Sequence, residues 1–306
     1  MNALIGHARR AISIALLAIP TLSPAQEVAI TWDDLPAHGP LPSGETRLSI
    51  INSIIATSKT KKLPPTYGFI NARRLDSDVE GQLVLSAWRR AGLPLANHGW
   101  SHMNLNENSV AAFTTDISRN ESTLKNYMGD RDWYWFRYPN LAEGNTPEKT
   151  TEVRAFLAAR GYRIAGVTMS FGDYMWNEPY ARCRAKGDSK AIAWLKTSFL
   201  AAAYDDIKVV HTRFSAPRRS RGIPPMRHVL LMHVGAFDSV MLPRLIDLYR
   251  SQGFRFVTLK RAQAHPYYRS YNNARLGPNK GEARPRPDDG LPARRSYAAA
   301  LQAICH

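Results

Sequence analysis

Short apolar runs rich in β-branched and aromatic residues alternate along this chain with longer stretches of helical period. The runs 28–32, 66–70, 93–96, 133–136, 162–167, 228–232 and 254–258 predict seven strands. Between them, 45–58, 78–91, 110–127, 147–159, 189–212 and 240–251 predict helices, with Ile50, Ile51, Ile54 and Ile55 forming one apolar face of the first. Ala91-Gly92, Arg160-Gly161 and Gln252-Gly253 put a glycine where three of these helices should stop. Strand, helix, strand repeated through the chain predicts an α/β fold with a parallel sheet, and a closed or partly closed barrel is its economical form.

Both ends leave this pattern. Residues 1–10 finish in Arg9-Arg10, an uncharged apolar run follows over 11–22, and Ser23-Pro24-Ala25 supplies the small residues of a cleavage site. That reads as a signal peptide over 1–25, too short to span a bilayer, and no other stretch is apolar enough to do so. The mature protein is therefore expected to be exported, periplasmic or extracellular, with no membrane span. One domain is expected over 26–262. Residues 263–306 read as a basic C-terminal extension, rich in Arg, Asn, Gly and Pro over 267–295 and ending in a short helix at 298–304.

Composition changes this picture little. The 306 residues are 44% hydrophobic and 22% charged, which is ordinary for a globular chain. Lys plus Arg number 41 against 25 Asp plus Glu, a net charge of +16 that suggests an acidic partner. Arg9 and Arg10 belong to the leader, and much of the remaining excess lies in Arg213, Arg218, Arg219, Arg221 and Arg227 and beyond Lys260. The stretch from Arg213 to Arg227 reads as a solvated face or a landing surface for an acidic polymer. Export, no nucleic-acid motif and no basic–aromatic interleaving argue against nucleic acid. Cys183 and Cys305 are too few for a disulfide scaffold, but an oxidising compartment would let them pair.

Candidate chemistry collects at the carboxyl ends of the predicted strands, where parallel barrels place their sites. Asp33-Asp34 closes the first strand and Asn97-His98 follows the third, with His102 four residues on. Arg137 follows the fourth, Asp173 the fifth, and His233 closes the sixth. Two histidines at i and i+4 with one carboxylate make an open three-ligand site for a divalent metal. Successive aspartates at a strand end point apart, so one can ligate while its neighbour faces a water. Amide hydrolysis needs those parts: a metal lowers the pKa of water toward about 7, a base takes its proton, and a histidine protonates the departing amine. Trp100, Tyr138, Tyr174 and Trp176 stand where rim aromatics could stack on sugars, core packing being the commoner role for each.

The set resembles the NodB-homology polysaccharide deacetylases, carbohydrate esterase family four, over about 28–259. Thr31-Trp32-Asp33-Asp34 is similar to the family's first motif and His98-Gly99-Trp100-Ser101-His102 to its second. Arg137-Tyr138-Pro139, Asp173 with Trp176, and Leu230-Leu231-Met232-His233 resemble the third, fourth and fifth. The resemblance implies a distorted (β/α)7 barrel as a single catalytic domain. It implies Asp34, His98 and His102 as ligands of a divalent metal, zinc first, with cobalt, nickel, manganese or iron as other occupants. It further implies Asp33 as general base oriented by Arg137, and His233 as general acid supported by Asp173. Asn140 would give the oxyanion donor, and Leu231, Trp176 and Tyr138 would line the substrate pocket. The expected reaction removes N- or O-acetyl groups from a polysaccharide or oligosaccharide, acidic ones included. Hydrolysis of a non-sugar C–N bond, or a cationic barrel that binds glycan without turnover, are the alternatives. The chain departs from the family pattern at Leu35, Gly99 and Met103, and in the spacing of Trp176 from Asp173.

Overall fold

The computed structural model describes residues 26–36, 38–76, 79–219, 225–268, 273–275 and 292–306. The expected leader over 1–25, Arg221, and most of the stretch 267–295 lie outside the described residues.

β1 (Gln26–Leu35) is buried over nearly its whole length and sits at the centre of the sheet. One edge pairs in parallel with β6 (Arg227–His233), from Glu27 opposite Arg227 to Asp33 opposite His233. The other edge meets β7 (Phe254–Phe256) at Gln26–Val28 and then β2 (Tyr67–Ile70) from Thr31 onward. β3 (Leu95–Asn97), β4 (Trp135–Phe136) and β5 (Arg163–Ile164) continue the parallel sheet outward from β2. Beyond β5 the chain crosses to β6, where Met169 bridges Leu230. All seven expected strands are present, and the sheet curls into a parallel half-barrel of α/β type forming a single domain. β5 is shorter than its apolar run because the chain after Ile164 leaves β4 for β6, although the Ala165 amide still donates to Phe136 at 2.8 Å.

The helices pack outside. They are α1 (Arg47–Thr60), α2 (Val79–Arg90), α3 (Val110–Met128), α4 (Pro147–Ala159), α5 (Asn177–Lys186), α6 (Ser189–Arg219), α7 (Ala236–Ser251), α8 (Leu259–Gln263) and α9 (Pro292–Ala303). Six fall where the periodicity puts them. α5 carries no such signal: apart from Tyr180 and Cys183 it is polar or small, and its burial comes from packing on α6 and α7. α7 begins four residues earlier than its apolar period because Gly235 caps it in extended conformation. A Cβ on Gly235 would lie 2.1 Å from Asn177, so only glycine lets α5 approach α7 here.

The C-terminal segment is less of an appendage than its composition suggests. α9 docks on α6, and Tyr297 packs 5.8 Å from the Trp176 ring. Arg182 reaches the last α9 carbonyls, Leu301 at 2.8 Å and Ile304 at 3.2 Å, and Cys183 is disulfide-bonded to Cys305. The basic stretch also resolves differently. Arg227 opens β6 and pairs with buried Glu27 at 3.1 Å, alongside Arg255 and Arg261. This is the amino end of the strands, opposite the end carrying Asp33 and His233, so Arg227 closes the barrel floor and forms no landing surface beside them.

One buried acid on α6 makes stability pH-dependent. Asp206 is 4% exposed, and burial pushes its pKa from 3.8 to about 7 against a backbone hydrogen bond from Ser170. A raised folded pKa means the folded chain holds this proton where the unfolded chain has released it. The contribution is therefore present at low pH and is lost as pH climbs to the folded value. Asp206→Asn, which cannot ionise, should melt above wild type, with a gap that widens from about pH 4 to about pH 7 and is level beyond. Thermal unfolding at several pH values reads this, and a gap constant with pH would show that Asp206 does not titrate.

Candidate active site

β1 ends in the residues on which the site is built. Thr31 and Asp33, two apart, point to one face, while Asp34 adopts φ 64 and turns its carboxyl aside. That kink separates the aspartates: Asp33 faces the barrel interior and Asp34 faces the turn after β3. A non-glycine residue held in the left-handed region is strained unless its surroundings fix it, and His102 (φ 61) and Asn140 (φ 56) share this conformation.

Asp34, His98 and His102 offer ligand atoms all within 4.8 Å of one another. His98 Nε2 and His102 Nε2 each stand 3.4 Å from Asp34 Oδ1. His98 Nδ1 lies 2.8 Å from the Arg137 carbonyl, which can only accept, so Nδ1 is the donor and Nε2 of the neutral ring holds a lone pair. Asp34 Oδ1 is buried and has no hydrogen-bond partner. A bare carboxylate oxygen facing imidazole lone pairs is an arrangement that a cation resolves, and the two-imidazole, one-carboxylate set suits a divalent ion. Burial, then His98, drives the His102 pKa to about 4, so this ring is neutral and ready to ligate. Burial opposes the charge on Asp34. The hydrogen bond from His38 and the imidazoles of His98, His102 and His233 outweigh it and hold the carboxyl well below the usual range.

The turn carrying both histidines is shaped by side chains that the sequence did not announce. Asp116 of α3 accepts from the Ser101 amide at 3.1 Å and its hydroxyl at 2.7 Å. Asn71 donates to the carbonyls of His98 and Gly99, and Asn97 accepts from the Gly99 amide at 2.9 Å. Asn120 ties Asn97 to β2 through Ile70. Gly99 is required twice: its φ is +73, and a Cβ would meet Asp116 at 2.7 Å. That explains one departure from the family pattern. His38 carries no signal in the sequence either; the turn after β1 brings its Nδ1 within 2.7 Å of Asp34 Oδ2, as a support for a ligand.

Across the barrel, Arg137 is 1% exposed and grips Asp33 with one guanidinium nitrogen 3.1 Å from each carboxyl oxygen. Its other nitrogens donate to Thr31 Oγ1 and the Ala165 carbonyl. On β6, His233 stands in register with Asp33. Asp173 accepts from both the His233 amide, at 2.6 Å, and the ring Nδ1, at 3.0 Å. Burial works against the charged ring, but Asp173, with Asp34 and Asp33 behind it, lifts the His233 pKa to about 10. With Nδ1 donating to Asp173, Nε2–H remains free for delivery.

A further acid lies behind. Asp238, wholly buried in the first turn of α7, accepts from Asn177 at 2.7 Å. Burial, then the charge of Asp173, holds its carboxyl well above the usual range.

The remaining candidates separate. Leu231 shares a face of β6 with His233 and is buried outside the contiguous core, fitting a pocket wall. Asn140 is exposed in the turn after β4. Tyr138 and Trp176 belong to the contiguous core. Tyr138 is 2% exposed and stacked on Phe113, and Trp176 is fully buried among Phe171, Phe199 and Tyr297, donating to Ser198. Both are large apolar rings behind the rim, and the core claims them. Trp100 and Tyr174 are half-buried at the rim, Tyr174 lying 5.0 Å from the His233 ring.

Residues 22–165 match the family described as polysaccharide deacetylase. No curated protein sequence matches the chain. Among solved structures, the chitin deacetylase of Colletotrichum lindemuthianum superposes with a TM-score of 0.50 at 18% identity, covering 78% of this chain and 88% of that one. A CE4 family pseudoenzyme of Bacillus anthracis, in a mutant with restored activity, gives 0.52 at 16% identity, covering 79% and 68%. At such identities these likenesses speak for the fold, while the residues at the strand ends speak for the chemistry. Residues 22–165 of this chain are thus similar to the polysaccharide deacetylase family, on a fold shared with these solved structures.

Proposed function

We propose that this protein is an exported, metal-dependent deacetylase that hydrolyses N- or O-acetyl groups on a polysaccharide or oligosaccharide. The observation that carries the reading is the facing of three groups at one end of the sheet: the Asp34–His98–His102 cluster, Asp33 on Arg137, and His233 on Asp173. The pseudoenzyme among the structural relatives makes this set, rather than the fold, the basis for activity. The N-terminal leader pattern and the Cys183–Cys305 bond support export.

Bound among Asp34, His98 and His102, a divalent cation, zinc suiting this donor set, would supply Lewis acidity for the hydrolysis. Asp33 takes a proton from the attacking water as its oxygen bonds to the acyl carbon. The Asn140 amide donates to the acyl oxygen as charge develops there. His233 passes its Nε2 proton to the departing nitrogen or oxygen as that bond breaks, releasing acetate and the free amine or hydroxyl. Leu231 packs on the acetyl methyl.

The test is acetate release from acetylated chitooligosaccharides and other acetylated glycans, before and after chelation. Release should fall to background with chelator and return with added zinc. A purified protein that binds no metal and frees no acetate from any of these glycans would overturn the reading.

A further inference from the structure

Beside the turn that carries His98 and His102 opens a cavity of about 650 Å³, lined by Arg73, Trp100, Ser101, Met103, Asp116 and Arg119 among others. It shares Trp100, Ser101 and Met103 with that turn, so a group seated in it adjoins the wall that bears His102. The Arg119 guanidinium lies over the Trp100 ring, 3.1 Å from its centroid, and that of Arg73 lies 5.8 Å from it. Stacking on an indole fixes the plane of a guanidinium while leaving its N–H donors at the edge, the geometry that takes a carboxylate in bidentate fashion. Asp116, the acid in the lining, is engaged by the Ser101 amide and hydroxyl. Asp76 stands 3.7 Å from Arg119, but both side chains are more than half exposed, and such a pair yields readily to a competing anion. The cavity therefore offers two guanidinium groups, the edge of an indole and a methionine to whatever enters it.

We propose that this cavity is a subsite for an acidic sugar next to the acetylated residue, its carboxylate gripped by Arg73 and Arg119 and its ring packed against Met103 and the edge of Trp100. The proposal rests on the deacetylase reading and narrows its substrate to a glycan carrying uronic acid or an equivalent sugar carboxylate. It moves the preference for acid from the basic stretch that ends in Arg227 to the rim beside the candidate metal ligands.

The test compares kcat/KM on an acetylated oligosaccharide containing one glucuronic acid with that on a neutral one of equal length. Wild type should favour the acidic substrate, and Arg73→Gln with Arg119→Gln should lower the acidic-to-neutral ratio by about tenfold or more, the scale of one charge-assisted contact. Lys190→Gln, an exposed cation on α6, controls for net charge and should leave the ratio as it is. Calorimetric titration with the deacetylated acidic oligosaccharide supplies a readout free of turnover, with saturable binding expected in wild type and lost in the double variant. Acetate release from both substrates at a ratio that the double variant does not alter would overturn the subsite while leaving the deacetylase reading intact. Binding that depends on both arginines, with no release from either substrate, would support the subsite and overturn the deacetylase reading.

Discussion

Replacing Asp33 with asparagine should lower acetate release by roughly 10²–10⁴-fold, the usual contribution of a positioned general base. Metal content should be unchanged. The prediction depends on the two aspartates being separate in function although adjacent in sequence. Asp34, at φ 64, turns toward His98 and His102, while Asp33 stays on the inner face of β1 against Arg137. Asparagine keeps the shape of the aspartate and one oxygen for Arg137 but cannot accept the proton of water. Arg137 is buried and would lose its counter-charge, so the variant should also be less stable. Circular dichroism and metal analysis of the folded variant separate that effect from the chemical one. Full turnover by Asp33→Asn would remove Asp33 from the role of base, and loss of metal with turnover would make it a ligand.

Much of this site was legible because its residues come in short motifs at the ends of apolar runs. Side chains alternate along a strand, which puts Asp33 on the face of Thr31 and His233 on the face of Leu231, and the sheet register sets Asp33 and His233 opposite each other. What stayed hidden acts through tertiary contact alone. His38 follows the strand in a turn whose sequence says nothing of where its ring goes, yet it supports Asp34. Asp116 and Asn120 look like ordinary polar positions of a helix, and only the packing of α3 on β3 shows that they hold the histidine turn. Asp238 sits in the first turn of α7, where an acid reads as a response to the helix dipole, and its burial against Asp173 has no local signature. Tyr138 and Trp176 erred the other way. Adjacency to motif residues suggested a sugar platform, but large apolar rings beside a strand end are drawn into the core unless something holds them out. The same reasoning covers α5, whose sparse apolar residues give no period although neighbours on two sides bury it.

Breaking the Cys183–Cys305 bond, by Cys183→Ser with Cys305→Ser or by reduction, should cost about 5 kcal/mol of stability, the scale for a cross-link closing a loop of this length. The bond spans 122 residues of sequence, so the unfolded chain that it restrains is long. Its loss should also reach the site. α9 is held on α5 by the disulfide and by Arg182, and its Tyr297 packs on Trp176. Trp176 ends the short turn that begins at Asp173, the partner of His233. Freeing α9 therefore loosens the ground under the candidate general acid while leaving Asp34, at the end of β1, and His98 and His102, in the turn after β3, as they were. Denaturant unfolding with and without reductant reads the first effect. Turnover at constant metal occupancy under native conditions reads the second, with a fall in kcat expected before the domain unfolds. Equal unfolding midpoints would mean that α9 holds by packing alone. Lower stability with unchanged kcat would show that the turn bearing Asp173 stands without support from α9.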